Sequence, residues 1–220
     1  MSKIIQSYDN VPVIAKVGDR KRAGIIKSAA TVFSHKGYDG ARVDEIARLA
    51  GMSKNNMLYY FKSKKILYRV VVEEVLNLWL ELIGDIDNFN DPVAVMSSYI
   101  NDKMKLSRIY PEASRIFAME LLADAPVISD YLASQLRQWV NSKSHIFLQW
   151  QSEGRMAPVP PAHVFFIIWA VTQTYADFKS QITAVLDVED YDSELYREAS
   201  QTVVDVMIRG LGLRREPVFQ

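Results

Sequence analysis

Lys54, Asn55 and Asn56 are three consecutive polar side chains at the start of a short amphipathic stretch, Lys54 to Phe61. Carboxamides can pair with adenine edges, and an ammonium group with guanine or phosphate, so the trio carries the groups needed to read a duplex. Tyr59, one turn later, has a hydroxyl that can donate to a phosphate. Tyr60 and Phe61 divide between phosphate contact and packing. Arg42, just ahead of the preceding stretch, could reach flanking phosphates.

A second group lies further along the chain. Met96, Ile100, Lys103, Met104 and Ser107 share one helical face, and an ammonium group there is costly to bury without a partner. Phe165, Phe166, Trp169, Gln173 and Ala176 share another, with Trp169 and Gln173 one turn apart. Trp79 is an inward indole on an earlier stretch. An aromatic wall, an amide and an ammonium suit a small, flat, hydrogen-bonding ligand. The alternative is plain structure: Lys103 reaching water, Gln173 satisfying a helix end and both indoles in the core.

The groups that would do covalent or metal chemistry are sparse. There is no cysteine, and His35, His145 and His163 stand far apart without partners at metal-ligand spacing. No carboxylate pair falls on one face. An enzyme using the second group above is therefore a remote alternative, and neither a cofactor nor a metal is expected.

The elements that must position these residues read as helices. Ala23, Ile26, Ala30 and Phe33 recur at spacings of three and four from Arg20 to Phe33, and Gly37 supplies a stop. A second helix is expected from about Val43 to Ala50, with Ile46, Ala47 and Ala50 inward and Gly51 ending it. Ser53 caps a third, Lys54 to Phe61, and Ser63 a fourth. The fourth should bury Ile66, Leu67, Val70, Val71, Val75, Leu78, Trp79 and Leu82, running toward Gly84. Five more stretches cover Asp91–Tyr110, Pro111–Leu122, Pro126–Glu153, Pro160–Leu186 and Ser193–Arg209, with prolines at or near their starts. Arg115 and Glu120 are spaced to form an internal ion pair. The pattern predicts an all-α chain of about nine helices. Its parts are a flexible arm over 1–17, a helical head over 18–65 and a larger body over 66–220.

Charge separates the head from the body. The chain of 220 residues has 26 Lys+Arg and 26 Asp+Glu, a formal net charge of zero. Residues 1–65 hold 13 of the former against 5 of the latter, and the remainder 13 against 21. An anionic partner is thus expected for the head alone. Hydrophobic residues at 49% exclude a disordered chain. No segment has the apolar length of a secretory core or a bilayer span, so a cytoplasmic protein with no membrane partner is expected.

Residues 42–61, RVDEIARLAGMSKNNMLYYF, have the spacing of a helix-turn-helix, whose second helix can lie in the major groove. With Phe33-Ser34-His35-Lys36-Gly37-Tyr38 before it and Tyr59-Tyr60-Phe61-Lys62-Ser63-Lys64 after it, the segment resembles the TetR family of one-component regulators. That family usually has Tyr where this chain has Leu58 and often Glu where it has Lys65. Two body segments, Tyr110 to Leu122 and Trp169 to Phe178, are similar to the family's pyrimidine-utilisation branch, and the resemblance runs from about Lys21 to Arg209. It implies a homodimer of helix-turn-helix heads on a pseudo-palindromic DNA operator, with Lys64 contacting the DNA backbone. It implies a repressor released by a small-molecule effector, with Trp79, Lys103, Trp169 and Gln173 enclosing a pyrimidine such as uracil or thymine. It also places the dimer contact on the last two long helices, where Ile167, Val171, Val203, Val204 and Ile208 offer apolar surface. An effector-independent, architectural DNA binder is the alternative.

Overall fold

The structure is a computed structural model that describes residues 17–81 and 91–215, and among these it contains helices and no strand. The arm expected at 1–17 lies, up to residue 16, outside the described residues, as do the side chains of Leu78 and Leu82 and the stop at Gly84. The chain divides into two compact units between Glu74 and Val75. Among the described residues no helix is long and apolar enough to cross a membrane.

The first unit begins with α1 (Val17–Gly40), whose helical geometry is interrupted at Gly37, where φ is 66°. Only a residue without Cβ adopts this backbone readily, and the glycine turns the chain toward the next helix. The buried stripe of α1 is Ile25, Ile26, Ala29, Val32 and Phe33, rotated from the expected face, so that Ala23 is exposed and Ala30 half-buried. The apolar pattern had two overlapping phases, and the phase with the bulkier side chains is buried.

Helix α2 (Val43–Leu49) buries Ile46 and Ala47 and leaves Ala50 half-buried. The turn after it is held by Gly51 N–H on Arg48 O at 3.1 Å and Met52 N–H on Ala47 O at 3.0 Å. This is the paired C-terminal closure that needs a left-handed residue, and Gly51 supplies it at φ 68°. Ser53 then starts α3 (Lys54–Tyr60), its hydroxyl accepting from Asn56 N–H at 3.2 Å. Met57 is buried on α3, and Phe61 just beyond it.

Helix α4 (Lys64–Glu81) supplies residues to both units. It buries Leu67, Tyr68, Val71, Val72, Val75, Leu76 and Trp79, whereas Ile66 is 46% exposed and Val70 half-buried. The expected face was therefore turned too far toward the first residue. Tyr68 takes the inward place because its ring meets Phe33 edge-on at 4.8 Å and Tyr38 at 5.0 Å.

In the second unit α5 (Pro92–Ile109) is central, packing on α6 (Pro111–Leu122), α9 (Pro161–Asp177) and α11 (Ser193–Gly210). Asp91 caps α5 by accepting from Val93 and Ala94 N–H, with Pro92 in the first turn, and Asp192 caps α11. Met96, Ile100, Lys103, Met104 and Ser107 are all buried, as their shared face predicts.

Two expected helices are subdivided. The stretch from Pro126 begins only at α7 (Ser129–Tyr131), passes through a π-helical turn at Leu132–Leu136 and continues as α8 (Arg137–Ser152). Glu120 explains the delayed start. Its Oε1 accepts from Val127 N–H at 2.7 Å and Ile128 N–H at 3.2 Å, fixing a turn where a helix was expected. The same bonds correct the expected Arg115–Glu120 pair, because the carboxylate is used on backbone donors instead. The stretch to Leu186 breaks at Phe178 (φ −112°, ψ 32°), giving α9 and α10 (Lys179–Leu186). Neither Gly nor Pro marks that break. On its two sides α9 buries a full face and α10 buries no residue.

Candidate functional site

On the first unit, Arg42, Lys54, Asn55, Asn56 and Tyr59 are all exposed, while Met57 anchors the opposite side of α3. Tyr59 is 86% exposed and meets the half-buried Tyr60 edge-on at 5.7 Å. Lys54 pairs with Asp44 at 3.3 Å, both well exposed, which is an exchangeable contact of small energy. Arg42 is the residue preceding α2 and makes no side-chain cap. These groups form one solvent-facing set able to meet base edges and phosphates.

Lys64 is placed differently. Its ammonium donates to Tyr38 O at 2.8 Å and Ala41 O at 3.2 Å, and lies 4.5 Å from the centre of the Tyr38 ring. These carbonyls belong to the end of α1, past the interruption at Gly37, and to its connection with α2, so Lys64 fastens the start of α4 to the chain that precedes the helix-turn-helix. Charge-assisted bonds of this kind are stronger than neutral ones.

On the second unit, α4, α5 and α9 bring Trp79, Lys103, Trp169 and Gln173 to one cavity, completed by Leu76, Leu80, Phe117 and Leu136. The cavity is small, about 30 Å³ as room for the centre of a water-sized sphere. Trp79 and Phe117 meet edge-on at 5.0 Å, and Trp169 donates its indole N–H to Tyr99 OH at 2.9 Å. The indole nitrogen is thus satisfied within the protein, leaving the ring to act by shape and by its π face. Burial pushes the Tyr99 hydroxyl's pKa upward, so it remains a neutral partner.

Lys103 is 3% exposed, with Nζ 4.3 Å from the centre of the Trp79 ring. Burial lowers its pKa from 10.5 to about 7, while the charge of Asp177 works in the opposite direction. The residue does not reach solvent. A buried ammonium beside an indole and an amide offers a strong donor to a carbonyl oxygen.

Sequence reasoning missed Leu76, Leu80, Phe117 and Leu136 as cavity residues, and also Asp177, whose charge acts on Lys103. Asp177 had a signal: it stands four residues after Gln173 and eight after Trp169, on the same helical face. Leu136 had none, because it arrives through the π turn.

The apolar residues expected for pairing also separate. Ile167 is 49% exposed and Phe166 is exposed next to it on α9, and on α11 Val206 is exposed. Val203 and Val204 are instead buried within the chain itself. On a helix packed against α5, those two valines occupy the inward stripe with Tyr196, Ala199 and Met207.

Comparison with known proteins covers both units. A family model described as bacterial regulatory proteins, tetR family, matches residues 25–71, and one described as YcdC-like protein, C-terminal region, matches residues 72–214. The HTH-type transcriptional regulator RutR of Escherichia coli (strain K12) is 39% identical over 191 residues, covering 87% of this chain and 90% of that protein. Among solved structures, a transcriptional regulator of Streptomyces coelicolor aligns with a TM-score of 0.67 at 23% identity, covering 88% of this chain and 99% of the other. The ketosteroid transcriptional regulator KstR2 of Mycobacterium tuberculosis aligns with a TM-score of 0.69 at 19% identity, covering 91% and 98%. These last two likenesses concern the fold.

Proposed function

The chain belongs to the TetR family of bacterial transcriptional regulators, and from that premise we propose that it is a repressor released from its operator by a small pyrimidine. Its relatives are regulators, so the enzymatic reading of the cavity is set aside. DNA contact falls to Arg42, Lys54, Asn55, Asn56, Tyr59 and Tyr60. Lys64 acts chiefly through the loop it holds, with any phosphate contact secondary. Two copies join through the exposed apolar strip of α9 and α11, and two α3 helices then read half-sites ~34 Å apart.

The observation that carries the effector reading is the buried Lys103 ammonium facing a cavity walled by Trp79 and Trp169 and shared with Gln173. Lys103 donates to a ring carbonyl, Gln173 pairs with an amide edge, and the indoles enclose the ring. Uracil and thymine have that combination. Because Leu76, Trp79 and Leu80 belong to α4, a bound ring favours one position of that helix over another. Release of the operator follows only if the ring binds the two positions with unequal affinity.

The test is a thermal-shift screen of nucleobases and related amides, repeated with displacement from a duplex of the protein's own promoter region. A true effector at a hundredfold excess over its dissociation constant stabilises by ~2.7 kcal/mol. It should also displace the duplex, and Gln173→Ala should abolish both responses while retaining operator binding. A Gln173→Ala protein that responds normally removes the cavity from the reading. Operator binding with no nucleobase response favours the effector-independent regulator.

A further inference from the structure

Helix α3 is anchored by few of its residues. Met57 is fully buried and Phe61, just beyond the helix, is 2% exposed, whereas Lys54, Asn55, Asn56 and Tyr59 all face solvent. Leu58 belongs to neither set. It is half-buried, one turn after Lys54 and three residues after Asn55, and so shares a flank of the exposed face with those two polar groups. It is the one aliphatic side chain of α3 that reaches solvent. Its open part adds nothing to the packing that Met57 and Phe61 provide, since only area removed from water stabilises.

A duplex offers a counterpart to that open part. In the major groove guanine, adenine and cytosine present donors and acceptors, while thymine adds a C5 methyl group. Ammonium and amide groups gain nothing from a methyl, and an aliphatic side chain does. Leu49 is more exposed, at 55%, but it ends α2, and the first helix of this motif crosses the backbone instead of entering the groove. Three residues of helix advance ~4.5 Å, against ~3.4 Å between successive base pairs. Asn55 and Leu58 therefore reach the same base pair or adjacent ones. The cationic bias of residues 1–65, with 13 Lys+Arg against 5 Asp+Glu, favours a duplex over an apolar protein surface as the cover for this flank.

We propose that Leu58 is a specificity-determining residue that reads a thymine methyl group in each operator half-site, within one base pair of the base that Asn55 contacts. This rests on the DNA-binding reading above and specifies it. Leu58 packs against the methyl group and excludes water from it. Cytosine in the same place presents an amino donor that an aliphatic side chain leaves unmet. The contact therefore favours thymine over cytosine by an unsatisfied polar group as well as by lost apolar area.

The experiment uses the shortest promoter duplex that the full chain protects from nuclease, with each thymine replaced in turn by deoxyuridine. That change removes the methyl group and leaves every hydrogen-bonding group in place. By anisotropy at fixed salt, the unaltered protein should show one position per half-site where the replacement weakens binding ~fourfold, the worth of one buried methyl group. Leu58→Ala and the volume-keeping Leu58→Gln should bind the thymine duplex more weakly and lose the sensitivity at that position. Leu58→Met should keep the sensitivity, and Leu49→Ala should leave it unchanged. Circular dichroism checks that each variant is folded. The assignment is overturned if no position depends on its methyl group. It is equally overturned if folded Leu58→Ala and Leu58→Gln stay as sensitive as the unaltered protein, or if the sensitivity is lost in Leu49→Ala instead. Should the unaltered protein prefer no promoter duplex over a scrambled one, the DNA-binding reading falls and this assignment with it.

Discussion

Lys103 shows how a single residue can weaken the fold and serve the site. With a pKa of about 7 in the folded chain against 10.5 when unfolded, it binds fewer protons folded than unfolded between those values. Its contribution therefore makes the protein more stable as pH rises from about 7 to about 10.5, and the burden of burying the charge is greatest below that window. Lys103→Met should raise the melting temperature at neutral pH, since replacing a buried charge with an apolar side chain commonly stabilises by ~1–4 kcal/mol. The same variant should lose the thermal response to uracil; an unchanged response would show that the ammonium does not touch the ligand. Affinity of the unaltered protein for a carbonyl-bearing effector should fall as pH rises through about 7, as the donor is neutralised. On the DNA face, Asn55 is exposed with no packing role, so Asn55→Ala should leave thermal stability unchanged. It should reduce specific operator affinity by ~1–3 kcal/mol, read by anisotropy against a scrambled duplex.

Among the elements, the helix-turn-helix depends on three local devices: Gly51 at positive φ, the Ser53 cap and the Lys64 clamp on the end of α1. Gly51 has open space where a Cβ would go, so Gly51→Ala meets a conformational penalty without a clash. It should lower stability by ~1–2 kcal/mol, measurable by thermal unfolding. A drop several times larger would mean that the turn is packed against something. The π turn at Leu132–Leu136 matters differently, because such turns re-aim the residues that follow them and often lie at functional sites. Here it delivers Leu136 to the cavity, and just before it Tyr131 donates to Asn77 Oδ1 on α4 at 3.0 Å. The segment thus touches both the cavity and the helix whose position the effector is proposed to bias.

For the whole molecule, the proposed function depends on pairing two copies. Phe166 and Ile167 are roughly half exposed on α9 and Val206 is exposed on α11, and these apolar side chains are the surface that the proposed pairing would cover. Phe166→Asp should shift the protein to monomer in sedimentation analysis while each chain keeps its helical content. Operator affinity should then fall ~10²–10⁴-fold, because the second half-site no longer benefits from being tethered to the first. A dimer that survives this change would move the interface elsewhere. The polarised charge adds a measurable trait: a cationic first part binding duplex phosphates makes operator affinity fall steeply with salt.

The chain's composition, its 3.6-residue periodicity and its local stop signals determined that the protein is helical, where most helices begin, and which segment forms the helix-turn-helix. Those properties depend on neighbours a few residues apart, which a sequence displays directly. The convergence of Trp79, Lys103, Trp169 and Gln173 was expected from resemblance, but their spacing along the chain could not show it. Only tertiary packing decided that Ile66 faces out and Tyr68 in, that Glu120 holds a turn where a helix was expected, and that α9 ends at Phe178. It also decided that Val203 and Val204 belong to the chain's own core, and that Asp177 lies near enough to Lys103 for its charge to act on it. Each of these turns on which distant group competes for a face, a donor or an acceptor, and such competition has no local signature.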